Sequence, residues 1–280
     1  MNRSIVRGLA IVLVAAVIIV VMFFLPAPEQ DDHAHDGAVT DPWVLISHDP
    51  DTEHGTYLAN GFISARILGD GVGSRDGRPL PCFMAGLYDN QKLLPIPTWS
   101  DLRFHDGEKQ FKIDQRDHYL QRLLMKSGIL VTTATWRSGK RTLEGSIEVI
   151  VSRAQPNVAM IFAVLSPNFD GELTVSAPLG NISDRFEKLS TEAADASWSA
   201  HPVPTRTLRT RNSRIVLALA QHLDADTDVK RPAGKISPSV TLPVTRDQKF
   251  MIYYHASLAT GADGDSARQA ALSELESAVG

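Results

Sequence analysis

From Trp43 onward, the chain either alternates apolar and polar residues or holds short apolar runs that end at turn residues. That rhythm excludes most helical folds, because side chains alternate faces along a strand but repeat every 3.6 residues along a helix. Arg141 to Ser152 is the clearest case. Leu143, Ile147, Val149 and Val151 share one parity, and Glu144, Ser146, Glu148 and Ile150 share the other. Residues 128–137, 158–165, 172–179, 215–223 and 249–257 read in the same way. Turn signals at Ser138-Gly139, Gln155-Pro156-Asn157, Asn168 to Gly171 and the Pro/Gly cluster 231–238 separate them. There is no strand–helix–strand alternation and no internal repeat. The pattern predicts a mainly β chain, an antiparallel β-sandwich.

One helix is expected at the end. Residues 266–279 are rich in Ala, Leu and Glu, Asp265 is placed to cap them, and Ala271, Leu272, Leu275 and Val279 fall on one stripe.

The N-terminus has another character. Gly8 to Leu25 is an uncharged run of 18 residues, about 27 Å long as a helix and close to the hydrocarbon thickness of a bilayer. Arg3 and Arg7 precede it. Glu29, Asp31, Asp32, Asp36 and Asp41 follow with no Lys or Arg among them, which places residues 1–7 inside and the rest outside the cytoplasm. Pro26 and Pro28 make a poor cleavage site, so 8–25 is read as a transmembrane signal anchor. Residues 26–42 then form an acidic, proline-containing linker too polar to bury a core. The tract Asp31-Asp32-His33-Ala34-His35-Asp36 is read as a solvated spacer, since a flexible strand of ligands lacks the geometry a metal needs.

Composition removes several functions. The net charge of −4 offers no basic footprint for nucleic acid. A lone cysteine, Cys82, permits neither an internal disulfide nor a CxxC site. Gly69-x-Gly71-x-Gly73 lacks the spacing and the following helix of a phosphate cradle. Arg206, Arg209, Arg211 and Arg214 alternate with Thr and Leu, not with aromatics, and are read as a solvated strand edge. Glu144 and Glu148 are the only tempting acid pair. They sit four residues apart on one strand, about 13 Å, and glycosidic cleavage needs two carboxyl groups roughly 5–10 Å apart. Trp99 and Trp136 are expected in the core, whereas Trp198, in a polar stretch, is a candidate for stacking on a sugar ring.

The stretch from Thr56 to Asn90 organises the rest. Asn60-Gly61 is a turn dipeptide between two apolar runs, a glycine-rich loop over 69–77 is too permissive for regular structure, and Gly86 inside the next apolar segment marks a bulge or close backbone contact. The same residues carry a resemblance. Leu58-Ala59-Asn60-Gly61 with Arg66, then Gly86, Tyr88 and Asn90, then Pro97 and Trp99, are similar to the start of glycoside hydrolase family 65. That family includes acid trehalases, maltose, trehalose and kojibiose phosphorylases, and glucosidases acting on glucosyl-galactosyl-hydroxylysine.

The resemblance implies that 43–262 is the family's N-terminal β-sandwich and 263–280 the linker helix toward an (α/α)6 barrel. It places the catalytic carboxylates in that barrel, so it implies no catalytic, cofactor or metal residue in this chain. The chain ends at Gly280, and by itself it is expected to be inactive, its helix stripe bare until a barrel covers it. The implied partners are a carbohydrate, the membrane through residues 8–25, and a separate catalytic-barrel chain. A stand-alone carbohydrate-binding or scaffold module of the cell envelope is the other reading. An exposed aromatic platform would favour the module, and an uncovered helix face the half-enzyme.

Overall fold

The computed structural model describes residues 41–279, apart from 51–54, 76–77, 108, 115–117, 181 and 233–235. With strands numbered along the chain, the largest sheet begins β1 (Val44–Ser47), β11 (Leu120–Leu124), β12 (Ile129–Ser138), β13 (Arg141–Val151) and β14 (Val158–Pro167). It continues through β20 (Phe250–Gly261), β18 (Val216–Ala225), β17 (Val203–Thr210) and β16 (Phe186–Ala194), while β10 (Lys112–Ile113) joins β12 from the side. A second sheet orders β19 (Ser239–Val244), β15 (Gly171–Ser176), β8 (Arg103–Asp106) and β9 (Lys109–Gln110). A third orders β2 (Thr56–Ala59), β3 (Ile63–Ile67), β6 (Cys82–Asp89) and β7 (Lys92–Ile96). Each of these pairings is antiparallel.

The parity read along Arg141 to Ser152 is the parity of the core. Leu143, Ile147, Val149 and Val151 are buried, and they join Ile63, Leu173 and Leu242 of the smaller sheets in one cluster. Glu144 is exposed on the opposite face, and Ser146, Glu148 and Ile150 are half-buried there. This is the sandwich expected of period-two strands, one face of each sheet taken out of water.

Three local expectations are corrected. The glycine-rich loop does hold a short ladder, β4 (Ser74–Arg75) with β5 (Arg78–Pro79). Its glycines serve close approach, since a Cβ on Gly73 would overlap the Ser100 hydroxyl while Gly73 N donates to the Ser100 carbonyl at 2.8 Å. Arg206 and Arg209 of the arginine run are not at a sheet edge, while Arg211 and Arg214 are exposed in the turn after β17. β17 lies between β16 and β18, Arg206 donates to the Leu179 and Gly180 carbonyls, and Arg209 Nη2 meets Glu187 Oε2 at 2.8 Å.

The third correction concerns the C-terminal helix, α1 (Gly264–Val279), which is capped by Asp263 and not by Asp265. Ser266 N donates to Asp263 Oδ1 at 2.8 Å, and Asp263 N donates back to Ser266 Oγ at 3.0 Å. Its stripe is not bare. Ala267, Ala271 and Leu275 are fully buried against Val203, Val216, Ala218, Ala220 and Ala259, with Leu272 and Val279 packed beside them. The small side chains of β18 let the helix approach the outer face of the sheet closely enough for Ser257 Oγ to donate to the Ala271 carbonyl at 2.6 Å.

The anchor at 8–25 and nearly all of the linker at 26–42 lie outside the described residues, and among those described no helix is long and apolar enough to cross a membrane.

Candidate functional site

The residues singled out in the sequence are spread over structural joints. Leu58 is buried, Ala59 is exposed, and between β2 and β3 Gly61 takes a φ of 92°. Asn60 Oδ1 accepts from Phe62 N and Ile63 N, both at 2.9 Å, while its Nδ2 donates to the Ser152 and Pro156 carbonyls. Arg66 is half-buried on β3 opposite Tyr57. Gly86, with a φ of 80°, sits where the β6–β7 register slips, and open space surrounds it, so of the two expected roles it fills the bulge. Tyr88 is exposed. Asn90 and Gln91 form a two-residue turn with both φ positive, a geometry that Asn tolerates better than most residues. Pro97 and Trp99 are buried, and so is Trp136, whose indole donates to the Asp70 carbonyl at 3.1 Å. Of these residues, Leu58 and Ala59 border a small cavity of about 170 Å³, with Leu123, Val151 and Arg153 also on its walls.

Glu144 and Glu148 lie on the outer face of β13. Burial raises the Glu148 carboxyl above its usual range, and Arg122 works against that rise. No Asp, His, Cys or Glu cluster able to hold a metal occurs among the described residues.

A larger cleft than the one at Leu58 lies elsewhere. β18 pairs with β20 along its whole length, but its pairing with β17 stops at Ala220 opposite Thr205. Gln221 to Leu223 therefore border a gap. Ser199 to Pro204 on one side, and Arg231, Pro232 and Ile236 to Ser239 on the other, contribute walls to a cavity of about 340 Å³. Prolines 202, 204, 232 and 238 contribute to its walls and bring no N–H to seal the strand edge.

Polar residues among those lining the cleft are Ser199, His201, Gln221, His222, Arg231, Ser237 and Ser239. Gln221 is fully buried; its Nε2 donates to the Tyr254 hydroxyl at 2.5 Å, and its Oε1 finds no partner among the described residues. His222 Nδ1 and Arg231 Nε are likewise buried without partners there. Burial lowers the His222 imidazole below its usual range; Asp224 opposes this, and Arg231 and His201 add to it. The Arg231 guanidinium meets Asp224 Oδ1 at 3.1 Å. Ser237 and Ser239 also line the wall, and none of the described lining residues carries a carboxylate. The described walls offer hydrogen-bonding groups but no pair of carboxylates for glycosidic cleavage.

Trp198 is half-buried, one residue from Ser199 on the cleft wall. Its ring tilts at 57° against His222, with centroids 5.6 Å apart, and it packs on the helix-side cluster. Sequence reading passed over Gln221, His222 and Arg231. Their signal was faint: within the apolar run 215–223, Gln221 has the inward parity of Leu217, Leu219 and Leu223 and yet is polar.

Residues 46–280 match the family described as glycosyl hydrolase family 65, N-terminal domain. Among solved structures, a protein assigned as a kojibiose phosphorylase, from the human microbiome, superposes with a TM-score of 0.67 at 14% identity over 85% of this chain. The chain spans 36% of that protein's length. No curated protein matches the chain.

Proposed function

The chain belongs to glycosyl hydrolase family 65 as its N-terminal domain, and from that premise we propose that it is the non-catalytic β-sandwich of an enzyme acting on α-glucosides such as trehalose, maltose or kojibiose. The family match over 46–280 carries the proposal. The described surface supports it, because Glu144 and Glu148 stand too far apart for cleavage and the cleft beside β18 has no carboxylate among its described lining residues. The catalytic carboxylates would come from a helical barrel, in the same protein or in a separate chain.

The apolar run 8–25 and its flanking charges support a membrane anchor with residues 43–280 outside the cytoplasm. An outward domain favours hydrolysis over phosphorolysis, since a sugar phosphate released there would not reach the cytoplasm. Reporter fusions at Gly280 test the placement: an export-dependent reporter should be active, and activity of a cytoplasm-only reporter would reject it. The full chain, assayed on trehalose, maltose and kojibiose with and without phosphate, should show no turnover. Turnover that disappears in Glu148→Gln would overturn the non-catalytic reading.

One observation favours a second reading, a carbohydrate-binding or scaffold module that works without a barrel. Helix α1 already buries its stripe on its own sheet, so the bare face that would demand a separate barrel chain is not there.

A further inference from the structure

We propose that the cleft beside the free end of β18 is a binding site for a neutral mono- or disaccharide. The inference goes beyond the catalytic family role, and rests on it only for the choice of sugars. A fully buried amide whose Oε1 lacks a partner is costly, and in a cavity it marks a place that expects a hydrogen-bonding ligand. Gln221 supplies that group, and His222 Nδ1, from the opposite face of β18, and Arg231 Nε, from the connection after β18, repeat the pattern around the gap. The volume, about 340 Å³, is near the lower end of the roughly 300–1,000 Å³ of small-molecule sites, which suits one or two sugar rings and not a chain.

Charge selects the ligand class. The Arg231 guanidinium is already engaged by Asp224 at 3.1 Å, and burial disfavours the charged form of His222. An anion such as phosphate would find no unshared guanidinium here, only the imidazoles of His222 and, at the exposed rim, His201. A sugar hydroxyl both donates and accepts, and so do the groups around it: a Ser237 hydroxyl, a neutral imidazole and a primary amide. Ile236 and the prolines provide the apolar surface on which the C–H face of a pyranose can rest.

Calorimetric titration of the full chain tests this, in a detergent without a sugar headgroup, with maltose, trehalose, glucose and potassium phosphate as separate titrants. At least one sugar should bind and phosphate should not. Gln221→Leu removes the amide, and Ile236→Trp fills the mouth from an exposed position, so the second variant keeps the test valid if the first disturbs the core. Each should weaken sugar binding at least tenfold. Absence of heat with all three sugars, preferential binding of phosphate, or sugar binding untouched by Ile236→Trp would each overturn the proposal. Turnover is not the readout, so a failure here strikes the cleft and leaves the family role to its own assay.

Discussion

Asn60 Nδ2 donates to the Ser152 carbonyl at 2.6 Å, fastening an early hairpin to the β13–β14 connection 92 residues later. The same side chain caps its own turn by accepting from Phe62 N and Ile63 N. One residue thus holds a local and a long-range joint.

Asn60→Ala should therefore lose both, at about 2–3 kcal/mol if each pair of bonds contributes about 1 kcal/mol or slightly more. Asn60→Asp keeps the acceptor for the turn but not the donor to Ser152 and Pro156, and should lose a smaller part. Urea unfolding of the three proteins gives the order. Equal losses in both variants would mean the long-range bonds contribute everything.

Leu275 is fully buried beneath α1, whereas Leu272 is half-buried at its flank. Leu275→Ala should cost roughly 2–5 kcal/mol, as for other buried leucines, and Leu272→Ala about 1 kcal/mol. Thermal melts read the difference. Little change in either would show that the helix does not pack on β17, β18 and β20 in solution.

Acid should destabilise the domain in two stages. Burial, with a smaller contribution from His222, lowers His255 to a pKa of about 4. The unfolded chain then binds a proton that the folded one refuses, and stability falls as pH drops from about 6.5 toward 4, by up to roughly 3 kcal/mol. Asp89 acts lower. Burial raises its carboxyl, but hydrogen bonds from Ser213 and Asn212 outweigh that and hold it below the usual value. Its contribution is present above the ordinary carboxylate pKa and is lost as pH falls through the depressed one. Denaturation midpoints from pH 7 to 3 should show both stages, and His255→Phe should flatten only the first.

Glu148 carries the opposite sign. Its carboxyl is raised by burial, so the folded state prefers the proton and stability is lost as pH rises through the ordinary carboxylate range toward the raised value. Glu148→Gln should leave stability unchanged near pH 4 and raise it at pH 7. A loss at pH 7 would mean that the attraction of Arg122 exceeds the cost of burial.

Period-two patterning fixes which face of a strand is buried, and that is why the inward residues of β13 and the sandwich were legible along the chain. Asn60-Gly61 and Gly86 were legible for a similar reason, since turn and bulge backbones tolerate few residue types. Sheet order left no such mark. The sequence cannot say that β20 separates β14 from β18, because that pairing joins segments about 90 residues apart and is decided by how both faces pack. For the same reason β17 was misplaced at an edge. The helix stripe was readable as apolar, but its partner was not. Ala218, Ala220 and Ala259 look like ordinary strand alanines until pairing sets them side by side as a flat bed for α1. The cleft is wholly tertiary. Gln221 and Arg231 become its walls only because β17 stops pairing at Ala220, and hydrogen-bond register across strands, not the local preference of any residue, sets where that happens.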